Sequence, residues 1–201
     1  RRLSAVARAD GGSVGTSLPT ATTVLIIGAG PGGLCAGIAL AAAGITDFVI
    51  LEKASGVGGT WWHNRYPGAE CDVKSHLYSF SFAPKADWSR PYAGQPEILT
   101  YVQSVAEQHG MLPYCRFGCE VIAMRWDETA ASWRVSLRDG ESLTARVVIS
   151  GIGMFNDIAV PDIPGLESFQ GTVFHTARWP SDHDLTGERV AIIGSAASAV
   201  Q

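Results

Sequence analysis

This 201-residue chain lacks a field of one charge: 15 lysines and arginines stand against 19 aspartates and glutamates, a formal net charge of -4. Neither sign is concentrated in a run, so the composition offers no surface for nucleic acid or for an anionic bilayer. Long apolar runs are missing too. Residues 1–20 are rich in Ala, Gly, Ser and Thr, and their apolar stretches are too short for a signal peptide or a membrane span. We read 1–21 as a flexible tail and expect a soluble, cytoplasmic protein without nucleic-acid or membrane partners. Cysteine is sparse, and Cys35, Cys71, Cys115 and Cys119 are scattered rather than framed as a disulfide scaffold. That usage fits a reducing compartment. Cys115 and Cys119 lie four apart, but no second ligand pair follows at metal spacing, so no metal site is expected.

Glycine, by contrast, is abundant at 23 residues, and several glycines fall at the ends of apolar runs. Residues 23–27 are β-branched and apolar, and 32–43 form an alanine-rich segment of high helix propensity stopped by Gly44. A second apolar run at 48–51 suits a strand buried on both faces of a parallel sheet. Together these predict a βαβ unit with a right-handed crossover. Residues 56–95 carry Gly, Pro, Trp, Tyr and His without a sustained period and read as a long functional loop. Residues 96–109, closed by Gly110, place Ile98, Val102, Val105 and Ala106 on one helical face. Strands are predicted at 120–126, 132–137 and 143–149, with Asp139-Gly140 as the tight turn between the last two. The last of these runs into Gly151 and Gly153, as a strand ending close to a ligand does. A further strand at 190–193 precedes Gly194 and repeats the opening pattern.

Gly28-Ala-Gly30-Pro31-Gly-Gly33 follows a strand and opens a helix, the context in which this glycine spacing binds a pyrophosphate. Gly28 permits the tight turn, Gly30 the approach of backbone to phosphate, and Gly33 the close seating of the helix. The helix N-terminus adds free amides and positive dipole. Glu52 lies 24 residues after Gly28, where a carboxylate accepts from both hydroxyls of a ribose and repels a 2′-phosphate. A second, shorter phosphate loop is read at Gly194-Ser195-Ala196-Ala-Ser-Ala199. Ala196 stands where the middle glycine is expected, which predicts a backbone held off a pyrophosphate or a different loop conformation.

Between the two loops lies Phe169-Gln-Gly171-Thr-Val-Phe-His175-Thr-Ala-Arg-Trp179-Pro180. It resembles the fingerprint of Baeyer–Villiger monooxygenases, a branch of the flavoprotein monooxygenases. Gly58-Gly59-Thr60-Trp61-Trp-His-Asn-Arg65-Tyr-Pro67-Gly68-Ala-Glu-Cys-Asp72-Val, continuing to Tyr78 and Phe80, resembles the flavin-contacting loop of the same family. The resemblance implies FAD and NADPH as cofactors, and a ketone and dioxygen as substrates, with one oxygen atom inserted beside the carbonyl to give an ester or lactone. It implies an α/β fold: a Rossmann-like FAD-binding domain over 22–168, made of a parallel sheet with helices and a small antiparallel meander. A fingerprint linker over 169–186 and the truncated start of a second Rossmann-like, NADP-binding domain over 187–201 follow. The chain is thus expected to be a piece of a longer protein, inactive by itself.

The resemblance also assigns roles. Gly59, Thr60, Trp61 and Tyr78 are expected near the flavin, Val121 near the adenine, and Asp72 as the catalytic carboxylate that sets the electrostatics at the flavin. Phe169, Gly171, His175, Trp179 and Pro180 form the hinge, with Trp179-Pro180 as its anchor. His175 is read as structural, with direct proton transfer as the lesser alternative. Of the aromatic cluster Trp61, Trp62, Tyr66, Tyr78, Phe80 and Phe82, several are expected in the core and Trp61 outside it, over the cofactor. Glu70 stands where the family usually has Arg, and Lys74 where an acid is common; simple variation and a compensating exchange between the two both fit. An N- or S-oxygenating flavin monooxygenase and a noncatalytic FAD-binding remnant are the alternative functions.

Overall fold

In the computed structural model, residues 17–180 and 182–201 are described. Six strands form one mixed sheet: β1 (Ala21–Ile27), β2 (Phe48–Glu52), β3 (Cys115–Phe117), β4 (Val121–Asp127), β5 (Ser132–Leu137) and β6 (Ser142–Ser150). Their order is β3-β2-β1-β6-β5-β4. The pairs β2/β3, β1/β2 and β1/β6 are parallel, whereas β5 pairs antiparallel with both β6 and β4. The expected parallel sheet and antiparallel meander are both present, and β6 belongs to both. Strand β3 has no counterpart in the sequence reading. It is three residues long, too short for a hydrophobic period to register.

Helix α1 (Pro31–Ala42) opens with proline in its first turn, where the missing N–H costs nothing, and Gly44 beyond its end turns at φ +79°. The second helix, α2 (Thr60–His63), is a single turn, and α3 (Gln95–Gln108) carries the anticipated face, with Ile98, Val102, Val105 and Ala106 all buried. Leu34 and Ile38 of α1 join these residues against Val24, Ile26, Phe48 and Ile50 of the sheet. Leu25, Val49 and Leu51 point the other way and pack with Val135, Leu137, Leu143 and Ala145 of the meander. Alternate residues of β1 and β2 therefore serve two cores, which is why these strands read as unbroken apolar runs.

Two expectations are corrected. Of the tail expected over 1–21, residues 1–16 lie outside the described residues, while the remainder is tied to the fold. Leu18 packs on the meander core and Ala21 opens β1 opposite Thr144. The strand expected at 190–193 is not paired: Val190, Ile192 and Ile193 are exposed, and no described strand offers this run a ladder. A strand has no stability without a neighbour to take its amides and carbonyls. Beyond β6 the described chain holds only short 3₁₀ turns and the four-residue helix α4 (Ala197–Val200).

Candidate functional site

The site begins where β1 ends. Gly28 turns at φ +98° and its amide donates to the Leu51 carbonyl at 2.7 Å, locking the turn to the neighbouring strand. A methyl on Gly28 would meet the Gly151 carbonyl oxygen at 2.5 Å, and one on Gly33 would overlap the Gly28 carbonyl oxygen itself. Gly151 donates to Ile27 at 2.8 Å. The glycine turn, the first turn of α1 and the exit of β6 thus meet backbone to backbone. Gly151, where the strand predicted at 143–149 ends, packs against Gly28 and Gly33 and so stands at the glycine turn itself.

Glu52 is 5% exposed, and its carboxylate is fully oriented by the backbone. One oxygen accepts from the Ala29 amide at 2.7 Å and the other from the Ala54 amide at 2.8 Å. Each carboxylate oxygen retains a further lone pair, so the group still accepts from a diol. Val121 opens β4 close by: the Cys119 amide donates to the Glu52 carbonyl at 2.9 Å, and Val121 packs on the cluster that includes Leu51.

The second glycine pair comes to the first. Gly58 donates to the Ala29 carbonyl at 3.1 Å, and a methyl on Gly30 would stand 3.4 Å from the Gly59 Cα. Two motifs separated in sequence by α1 and β2 are therefore one structure. Gly59 (φ +58°) caps α2, which begins with the exposed Thr60. Trp61 departs from expectation. It is 7% exposed and belongs to the core packed against α1 and α3. Its indole N–H donates to the Tyr78 hydroxyl at 2.9 Å, and its carbonyl accepts from the buried Gln95 side chain. The reason is apolar area: a tryptophan at the start of a one-turn helix gains most by burial between two longer helices.

Tyr78 and Pro31 share the wall of a cleft of about 270 Å³ whose other walls are Leu77, Ser79, Phe80, Tyr101 and Val102. Burial holds the Tyr78 hydroxyl above its ordinary pKa, with the Asp72 charge adding to the rise. Asp72 itself is exposed, and its charge also helps burial to raise the Tyr66 hydroxyl. His63, half-buried in α2, is held below its usual pKa by burial, with Glu52 opposing and Arg178 reinforcing the effect. The fingerprint segment, through Arg178, thus lies within electrostatic reach of the loop that follows Glu52.

Inside the fingerprint, the His175 Nδ1 accepts from the Ala177 amide at 3.1 Å and caps a 3₁₀ turn, a structural task. Phe169 is 62% exposed and folds its ring over Gly171, where a methyl would lie 2.5 Å from the ring edge. Trp179, followed by Pro180, packs edge-on against Phe174 with centroids 4.8 Å apart. Gly194 turns at φ +133°, and Gly194 and Ser195 are both exposed. Of the two outcomes expected at Ala196, a different loop conformation is not found: its φ -80° and ψ 175° nearly repeat the φ -75° and ψ -179° of Gly30 at the matching position of the first loop. The backbone there is ordinary for any L-residue, so alanine does not require a different loop conformation.

Several participants escaped sequence reasoning. Arg90 pairs with Glu70 at 2.9 Å, so the partner of that acid is on the segment before α3 and not Lys74. Gln95 carried no signal beyond preceding a proline, and Gln201 none at all, although its side chain reaches the Tyr66–Glu70 stretch. Cys115 is a core residue whose thiol burial pushes up to about 12. Among the described residues no His, Cys, Asp and Glu group could hold a metal ion, and no helix is long and apolar enough to cross a membrane.

The sequence profile of the pyridine nucleotide-disulphide oxidoreductases matches residues 25–201. A Baeyer–Villiger monooxygenase of Streptomyces coelicolor is 53% identical over 178 residues, covering 89% of this chain and 34% of that protein. The phenazine N-monooxygenase PhzNO1 of Lysobacter antibioticus is 40% identical over 155 residues, covering 75% of this chain and 29% of that protein. A closed crystal structure of cyclohexanone monooxygenase superposes with a TM-score of 0.84 at 36% identity, over 90% of this chain and 35% of that one. The chain spans about a third of the length of the curated relatives it matches.

Proposed function

Since this chain belongs to the pyridine nucleotide-disulphide oxidoreductase family, we propose that it supplies the flavin-holding part of a Baeyer–Villiger monooxygenase using FAD, NADPH and dioxygen. The observation that carries the reading is the meeting of the Gly28–Gly33 and Gly58–Gly59 loops at the end of β1, beside the amide-oriented Glu52. The residues fit an FAD: Gly30 presents backbone without a side chain, and Glu52 is acceptor-only toward a ribose. When bound, that group carries two electrons from NADPH to dioxygen, so that one oxygen atom enters beside a ketone carbonyl and the other leaves as water.

The chain's own residues divide the remaining work. Gly28, Gly30, Pro31 and Gly33 hold the pyrophosphate, Glu52 the ribose, and Val121 flanks the adenine. Gly59 and Thr60 approach the flavin end, Tyr78 lines the cleft beside them, and Trp61 supports that wall from within the core. Asp72 is an exposed carboxylate whose charge acts on the Tyr66 and Tyr78 hydroxyls, and we assign it the electrostatic role in catalysis. Residues 22–168 form the flavin domain and 169–186 the hinge, while 187–201, with Gly194 and Ser195, open the NADPH-binding unit. A cytoplasmic setting and a small ketone substrate belong to the same reading.

The test is product analysis with the longest natural polypeptide that contains these residues, supplied with NADPH and air. An ester or lactone from a ketone is the expected outcome. N-oxide formation from an aromatic N-heterocycle without ketone oxidation would favour the second reading, an N-oxygenase, which the likeness to PhzNO1 motivates. Flavin retention without either product would leave a noncatalytic FAD-binding protein.

A further inference from the structure

Gln201, at the end of α4, makes contacts that no part of the flavin or phosphate reading uses. Its Oε1 accepts from the Tyr66 hydroxyl at 2.7 Å and, at 3.4 Å, from the Glu70 amide, while its Nε2 donates to the Glu70 carbonyl at 2.9 Å. These bonds span 131 to 135 positions of sequence. A side-chain amide is the group that offers donor and acceptor in one plane, and here it meets both backbone groups of one residue, as a neighbouring strand would.

The backbone on the other side explains why Glu70 is available. Residues 70 and 94 form an antiparallel bridge in which the Cys71 amide donates to Ala93 at 3.0 Å and the Gln95 amide to Ala69 at 2.8 Å. In such a pair the flanking residues bond across the bridge, and the middle residue directs its N–H and C=O outward. Gln201 takes that outward pair. Gly68 makes room for it: a methyl there would lie 2.6 Å from the Gln201 carbonyl oxygen. The Glu70 carboxylate meanwhile is held by Arg90 at 2.9 Å, so it does not compete for the carboxamide.

We propose that Gln201 is a positioning residue, a latch that ties the helix after the second phosphate loop to the loop carrying Asp72, so that occupancy of the NADPH unit sets where Asp72 stands. This coupling rests on the monooxygenase reading above. Asp72 follows Glu70 by two residues, and α4 follows Gly194 and Ser195 with only Ala196 between, so a shift of α4 is transmitted through a single side chain and two peptide units.

The latch is tested by trypsin cleavage at the exposed Arg65, read by mass spectrometry on the longest natural polypeptide containing these residues, purified with its flavin. Loss of neutral hydrogen bonds of ordinary strength raises the open population about tenfold, and cleavage follows that population. Gln201→Ala and Gln201→Glu are expected to speed cleavage at Arg65 about tenfold, since glutamate keeps the acceptor but loses the donor. Tyr66→Phe, which removes one bond and no bulk, is expected to move it in the same direction if Gln201→Ala fails to fold. NADP⁺ should protect Arg65 in the parent and not in Gln201→Ala, and Gln201→Ala should raise the KM for NADPH with flavin content unchanged. Unchanged cleavage in both Gln201→Ala and Tyr66→Phe overturns the latch, even where ketone oxidation is intact. Faster cleavage in the variants without any NADPH-dependent product keeps the contact and rejects the monooxygenase reading.

Discussion

Gly59 and Gly30 stand back to back: a methyl on Gly59 would lie 2.8 Å from the Gly30 Cα, whereas one on Gly30 would lie 3.4 Å from the Gly59 Cα. The two positions are therefore unequal, because Gly59 also turns at φ +58° while Gly30 is extended at ψ -179°. Gly59→Ala is expected to cost about 2 kcal/mol, from the left-handed backbone and the clash together, and Gly30→Ala distinctly less. Thermal melts of both variants decide this, and equal losses would show that the approach of the two loops does not control stability.

Glu52 holds two amides with two oxygens. Glu52→Gln leaves one acceptor oxygen and turns an NH₂ toward the other amide, so a buried donor is orphaned. The expected cost is about 1–3 kcal/mol, with loss of any bound flavin. Urea titration and the flavin absorbance of the purified variant measure both. Full stability in Glu52→Gln would mean that neither amide depends on the carboxylate.

Burial raises the Cys115 thiol from its ordinary 9.0 to about 12. Between those values the unfolded chain releases the thiol proton and the folded chain keeps it, so the unfolded state binds fewer protons and stability falls as pH rises. The slope from this group is at most about 1.4 kcal/mol per pH unit. Urea midpoints for the parent and Cys115→Ala, compared between pH 8 and pH 10, should converge as pH rises. Parallel pH curves would remove Cys115 from the account.

Tyr78→Phe takes the acceptor from the buried Trp61 indole N–H. A stranded indole donor costs about 1–3 kcal/mol, and water entering from the cleft to satisfy it should shift the tryptophan emission to longer wavelength. Pairing it with Trp61→Phe in a double-mutant cycle isolates the bond, since the double variant has neither donor nor acceptor. Additive losses would sink the claim that the two side chains act as a pair.

The glycine turn was legible because conformation and residue type coincide there. Gly28 adopts a positive φ and Gly33 sits where any methyl overlaps a carbonyl, so the chemistry of the missing side chain is written at the position itself. The buried face of α3 was legible because burial imposes a period on the residues that share it, and β1 and β2 because burial on both faces leaves an unbroken apolar run. Contacts between distant segments leave no such mark. The three-residue β3 exists because β2 offers it a parallel edge, Trp61 is core because α1 and α3 close over it, and Glu70 is paired through Arg90. The run at 190–193 shows the converse, a strand sequence without a described neighbour. Local backbone preference and periodic burial were thus determined by the order of residues alone, whereas pairing, and the meeting of Gly30 with Gly59 and of Gln201 with Glu70, was decided only when the sheet brought separate stretches within hydrogen-bond distance.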